Sequence, residues 1–124
     1  MILVDSSVWI DHLRSGDATL KRLLEAEQVL AHPFIIGELS LGSLKQRDDI
    51  LSALNVLPQA VIASTLEIAR FIETQQLFGL GIGYVDVHLL ASVRLTPSAV
   101  LWTRDKRLFA VADRLGIHAR FNHS

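Results

Sequence analysis

Ile2-Leu3-Val4 is a continuous apolar run with β-branched ends, and it stops abruptly at Asp5-Ser6-Ser7. A strand with one wet face alternates apolar and polar residues. A strand with no polar position is covered on both faces, as in a parallel sheet packed between helices. Ala99–Thr103 repeats the pattern near the other end, and Arg104-Asp105 follows it. Two such strands, each ending next to an acid, restrict the chain to an α/β arrangement more than any other feature does.

The intervening segments carry helical signals. Asp5-Ser6-Ser7 offers N-cap chemistry for a helix through Trp9 and Leu13 to Ser15-Gly16. Asp17 caps a second helix carrying Leu20, Leu23 and Leu24, and Gln28–Ala31 reads as a second short strand. Pro33 suits the first turn of a third helix, which places Phe34, Glu38 and Leu41 on one face. A fourth helix is expected near Asp48–Leu54, ended by Asn55–Pro58. Ile62, Leu66, Ala69 and Ile72 share one face of a long helix, with Glu67, Arg70 and Thr74 on the other. After a loop containing Gly79, Gly81 and Gly83, a helix starts at Tyr84–Asp86 and runs to about Leu95, where Thr96-Pro97-Ser98 ends it. A last helix covers Lys106–Leu115, Gly116 stops it, and Ile117–Phe121 is expected as a final strand. Strands alternating with helices predict a three-layer α/β/α sandwich with a central parallel sheet. Residues 1–124 are expected to form a single domain, with no internal repeat or linker.

Half of the 124 residues are apolar, which is enough for one core. The absence of cysteine excludes disulfides and thiolate metal sites, and it suits a cytoplasmic protein. No apolar run approaches the ~20 residues that span a bilayer. No basic stretch precedes the first apolar run, so it does not read as a signal peptide. The net charge of −1 conceals an asymmetry: residues 1–93 hold six Lys/Arg against eleven Asp/Glu, and residues 94–124 hold six against two. A basic final quarter suits phosphate contacts or, equally, a solvated face.

Sites in open α/β sheets form outside the carboxyl ends of the strands. Asp5 follows the first strand directly, and Asp105 follows Ala99–Thr103 by two residues, so both are expected at one sheet edge. Glu38, in phase with Phe34 and Leu41, is expected to point inward, where an unpaired carboxylate is costly. Asp86 is in phase with Leu90 and Val93. The competing reading makes Asp5, Asp86 and Asp105 ordinary helix caps and turns Glu38 to the surface or toward an arginine. If the four converge, their repulsion calls for a hard divalent cation. Carboxylates and water suit Mg²⁺ or Mn²⁺. Such an ion can generate a hydroxide-like nucleophile and stabilise in-line displacement at phosphorus.

Other signals carry less. The five histidines lack metal-ligand spacing and read as surface or locally bonded residues. The Gly79-x-Gly81-x-Gly83 triplet follows a helix and lacks the last glycine of a dinucleotide fingerprint, so it reads as a turn loop. Trp9 and Trp102 sit in apolar contexts that favour core packing or a subunit interface over base stacking.

Four segments together resemble the PIN-domain family, specifically its VapC-type toxins. They are Val4-Asp5-Ser6-Ser7-Val8-Trp9-Ile10-Asp11, Gly37-Glu38-Leu39, Asp86 with Leu89-Leu90-Ala91, and Thr103-Arg104-Asp105-Lys106-Arg107-Leu108. The resemblance covers essentially the whole chain in order. It implies a metal-dependent endoribonuclease, usually a homodimer, held inactive by a cognate antitoxin protein, with transfer RNA as the family-level substrate. It also implies that Asp5, Glu38, Asp86 and Asp105 form the catalytic and metal-binding set. Ser6 and Thr103 are then candidates to bind carboxylates or phosphate, and Arg104, Lys106 and Arg107 to hold RNA. Against this stand a Mg²⁺-dependent phosphatase and a degenerate PIN module that only binds partners. The aspartyl-phosphate type of phosphatase wants an Asp two residues after the first, where Ser7 stands. A phospho-acceptor domain wants paired acids at the first strand, and these are not evident.

Overall fold

The computed structural model describes residues 1–121. Its sheet has three parallel strands, β1 (Ile2–Val4), β2 (Val29–Leu30) and β3 (Val100–Trp102), in the order β2-β1-β3. Ile2 is level with Val29 on one side and Val100 on the other. Leu3 and Val4 point to opposite faces yet are both fully buried. Both faces of the sheet are therefore covered, as the unbroken apolar run predicts.

The connections decide where a site can form. From β1 the chain passes through α1 (Ser6–Ser15) and α2 (Ala18–Glu25) to β2 on one side. It then runs through α3 (Pro33–Ser40), α4 (Arg47–Val56), α5 (Thr65–Gln75) and α6 (Tyr84–Leu95) before entering β3 on the other side of β1. The order reverses at β1, so a crevice opens outside its carboxyl end, next to Asp5. After β3, α7 (Lys106–Arg114) completes the described elements. Trp9 and Trp102 belong to the core, at 4% and 7% exposure.

Four details depart from the sequence reading. The final strand shrinks to one parallel bridge, Leu101 with His118. The backbone N–H of Thr103, next in line to pair, is taken by His118 Nε2 at 3.2 Å, so the ladder goes no further. The α5 helix begins only at Thr65, because Ser64 and Glu67 form a reciprocal capping box. Its buried side carries Ile68, with Phe71 and Ile72 half-buried, while Ile62, Leu66 and Ala69 are exposed. Several apolar stripes satisfy the helical period there, and packing turned the one carrying Ile68, Phe71 and Ile72 inward.

In α3 the inward stripe is Ile35 and Leu39, about 100° round the helix from the stripe predicted. Leu41 lies beyond the helix at 89% exposure, and Phe34 and Glu38 are exposed too. Glu38 therefore stands at a rim instead of inside. His88 is buried at 6% exposure, the reverse of a surface histidine. Its ring lies edge-on to Phe34 and Tyr84, at 4.8 and 4.9 Å between centroids. His123 lies outside the described residues.

Candidate active site

Asp5 occupies the N-cap position of α1, but its side chain makes no cap bond. It turns toward β3 instead. Its Oδ2 accepts from Ser7 Oγ at 2.7 Å and from Thr103 Oγ1 at 2.8 Å, and the residue is only 5% exposed. Its backbone N–H donates to the Trp102 carbonyl at 2.9 Å. The two hydroxyls are themselves fixed. Ser7 Oγ accepts from the Arg104 N–H at 3.0 Å, and Thr103 Oγ1 accepts from the Asp105 N–H at 3.1 Å. A buried carboxylate is tolerable when donors hold it this way. Thr103 is among the hydroxyls expected from the sequence to bind a carboxylate, whereas Ser7 is not. An acid leaving a strand, followed two residues later by a hydroxyl in the first helical turn, was the available signal.

Asp86 and Asp105 both perform the capping work that the competing reading assigned them. Asp86 Oδ2 accepts from the Gly83 N–H at 3.1 Å, and Asp105 Oδ1 accepts from the Leu108 N–H at 2.9 Å. Capping, however, does not isolate them from the other acids. Burial pushes the half-buried Asp86 carboxyl above its ordinary range; the Gly83 bond opposes this, and the charges of Asp5 and Asp105 add to it. Glu38 is also raised, first by loss of hydration and then by Asp5 and Asp86, with the Ser6 hydroxyl partly offsetting. The four acids therefore form one connected network of like charge, reached from β1, α3, α6 and the turn after β3.

The donor set is entirely oxygen, the chemistry that a hard divalent cation takes. A dication would also relieve the repulsion that lifts Glu38 and Asp86. Among the described residues, no three acidic or histidine side chains converge closely enough, as they stand, to hold one ion. The donor chemistry thus fits a divalent cation, while the present side-chain positions leave the acids apart.

The basic residues beside the acids divide in role. Arg104 spans two carboxylates, donating from Nη1 to Asp11 at 2.7 Å and from Nη2 to Asp17, and it lies 5.4 Å over the Trp102 ring. It thus ties the turn after β3 to α1 and to the cap of α2. Arg107 Nη1 reaches the Gly81 carbonyl at 3.4 Å, and Lys106 is exposed.

Comparison with known proteins identifies the family. The family model described as "PIN domain" matches residues 2–115. In each of two strains of Mycobacterium tuberculosis, the chain is 49% identical to Ribonuclease VapC32 over 117 residues, 94% of both chains. Among solved structures, "Structure of FitAB bound to IR36 DNA fragment" contains a chain similar in fold. Its TM-score is 0.62 at 19% identity, and the match covers 99% of this chain and 100% of that one. A family model spanning nearly the whole fold, joined by a close relative of the same length, leaves one assignment: this chain belongs to the PIN-domain family and is of the VapC type.

Proposed function

We propose that this chain is a divalent-metal-dependent endoribonuclease, the toxin of a toxin–antitoxin pair, working as a single domain in the cytoplasm. The observation that carries the reading is the four-acid network at the switch point of the sheet. Burial first, and then the charges of neighbouring acids, raise Glu38 and Asp86, and a bound cation would relieve the mutual repulsion. The 49% identity to a protein named as a ribonuclease supplies the substrate class.

In this reading Asp5, Glu38, Asp86 and Asp105 hold Mg²⁺ or Mn²⁺, directly or through water. The bound ion supplies an activated water and neutralises charge developing on the phosphodiester. Asp5 is the fixed member, because Ser7 and Thr103 hold it before any ligand arrives. Glu38 is the exposed member at the rim, with the Ser6 hydroxyl bonded to it. Asp86 and Asp105 are set by their helix termini.

Two partners belong to the proposal. Val61, Ile62, Leu66 and Phe78 are all at least 45% exposed along and beside α5, and they offer an apolar surface for an isologous homodimer. An antitoxin protein would restrain the nuclease, and a basic side chain from it would satisfy the acids. The deciding measurement is cleavage of transfer RNA and of mixed single-stranded RNA in Mn²⁺ and in EDTA. Cleavage that appears with the metal and vanishes with the chelator is expected. Cleavage by pure protein in EDTA, or none under either condition, refutes the reading.

A further inference from the structure

A groove of about 880 Å³ is lined by α1, α3, the segment joining α3 to α4 and the start of α4, and Glu38 is among its lining residues. Its walls include Ile10, Leu13 and Leu39, with Arg14 contributed by α1 and Lys45 by the segment between α3 and α4. Both cations are exposed, and among the described residues neither has an ion-pair partner. Arg104, which directly precedes Asp105 in sequence, is by contrast committed to Asp11 and Asp17.

We propose that this groove carries the RNA strand away from the reacting phosphate, with Arg14 and Lys45 holding backbone phosphates and the apolar wall receiving a ribose or base. The proposal rests on the ribonuclease reading and adds the binding track to it. Three observations argue for a nucleic-acid strand in this place. The groove is continuous with the acid network through Glu38. Its two unpaired cations complement phosphates, which supply most of the affinity between proteins and nucleic-acid strands. An apolar wall between cations matches the alternation of charged backbone and flat base along a single strand.

The test uses the full chain and a short mixed-sequence single-stranded RNA. Binding is followed in EDTA, where the nuclease reading predicts no cleavage, across a range of salt. The variants are R14A, K45A, the double variant, and R70A on α5 as an outside control. Both target residues are exposed, so thermal melts should match wild type. Each lost phosphate contact should flatten the slope of log affinity against log salt by about 0.7, and the double variant by about 1.4, while R70A keeps the wild-type slope. In Mn²⁺ the double variant should raise KM several-fold and change kcat little, and R14K should retain most of the binding.

A wild-type slope and KM in the double variant, from an enzyme that does cleave RNA, overturns the groove proposal and leaves the nuclease reading standing. RNA binding that depends on Arg14 and Lys45 without metal-dependent cleavage upholds the groove and removes the nuclease reading.

Discussion

Thr103 Oγ1 donates to Asp5 Oδ2 at 2.8 Å, joining residues 98 positions apart in the chain. The same oxygen accepts from the Asp105 N–H, so one hydroxyl sets the first and last acids of the network together. Thr103 is only 4% exposed, so no solvent stands in for it.

Removing that hydroxyl should therefore be costly in two ways. T103V keeps the volume but leaves a buried carboxylate short of one donor, which costs about 2 kcal/mol for a bond to a charged group. Cleavage should fall at least about tenfold as Asp5 loses its orientation, the scale of 1.4 kcal/mol in a barrier. T103S should recover most of both. Denaturant unfolding and cleavage rates check this, and a T103V enzyme with wild-type values in both would show that Thr103 only fills space.

Neutralising an acid should have opposite effects on stability and activity. D86N preserves an acceptor for the Gly83 N–H and removes one charge from the network. In EDTA at neutral pH it should melt higher than wild type, because a carboxylate whose native pKa is raised destabilises the fold while ionised. The gain should fade as pH falls through the raised value and vanish below the ordinary carboxylate range, where both states are protonated. Added Mn²⁺ should stabilise wild type more than D86N, and D86N should cleave little. Identical melts in EDTA with full cleavage would reduce Asp86 to a helix cap.

Acid should weaken the fold through His32. The residue is fully buried, and its Nδ1 accepts from the Phe34 N–H at 3.0 Å to cap α3. Burial, with the neighbouring His88 adding to it, lowers its pKa to about 4. The unfolded chain binds this proton near pH 6.5 and the folded chain only near 4, so stability should decline as pH falls between those values. The two values differ by enough to remove about 3 kcal/mol in all, at about 1.4 kcal/mol per pKa unit. H32N keeps a capping acceptor and does not titrate, so its unfolding free energy should be flatter over that interval. An equally steep decline in H32N would place the acid sensitivity elsewhere.

The Arg104 fork should prove structural. It is 38% exposed on the side chain, so R104K should cost no more than about 1 kcal/mol. Asp17 should feel the change. Although burial opposes it, the Leu20 backbone bond and Arg104 hold the Asp17 carboxyl below its ordinary range. That stability is present above the ordinary carboxylate pKa and is lost as pH falls through the lowered one. R104K should therefore cost less in acid than at neutral pH, and R104A, which removes the charge altogether, should leave the salt slope of RNA binding unchanged. A flattened slope would assign Arg104 to phosphate contact after all.

Local chemistry along the chain was sufficient for much of this molecule. The apolar run ending at Asp5, the cap residues Asp17 and Asp105, and Pro33 at the head of α3 specify strands and helix starts without distant partners. They put acids at the carboxyl ends of β1 and β3, on one edge of a parallel sheet. Which stripe of a helix turns inward was not local. Ile35 and Leu39 outcompeted Phe34 for the core and carried Glu38 to the rim, because neighbouring stripes satisfy the helical period equally and packing alone separates them. The partners of Arg104 were likewise invisible, since Asp11 and Asp17 lie 93 and 87 residues away along the chain. Ser7 became the support of Asp5 only when β3 brought Thr103 alongside. Charges and hydroxyls act through space, and only the folded chain sets their distances.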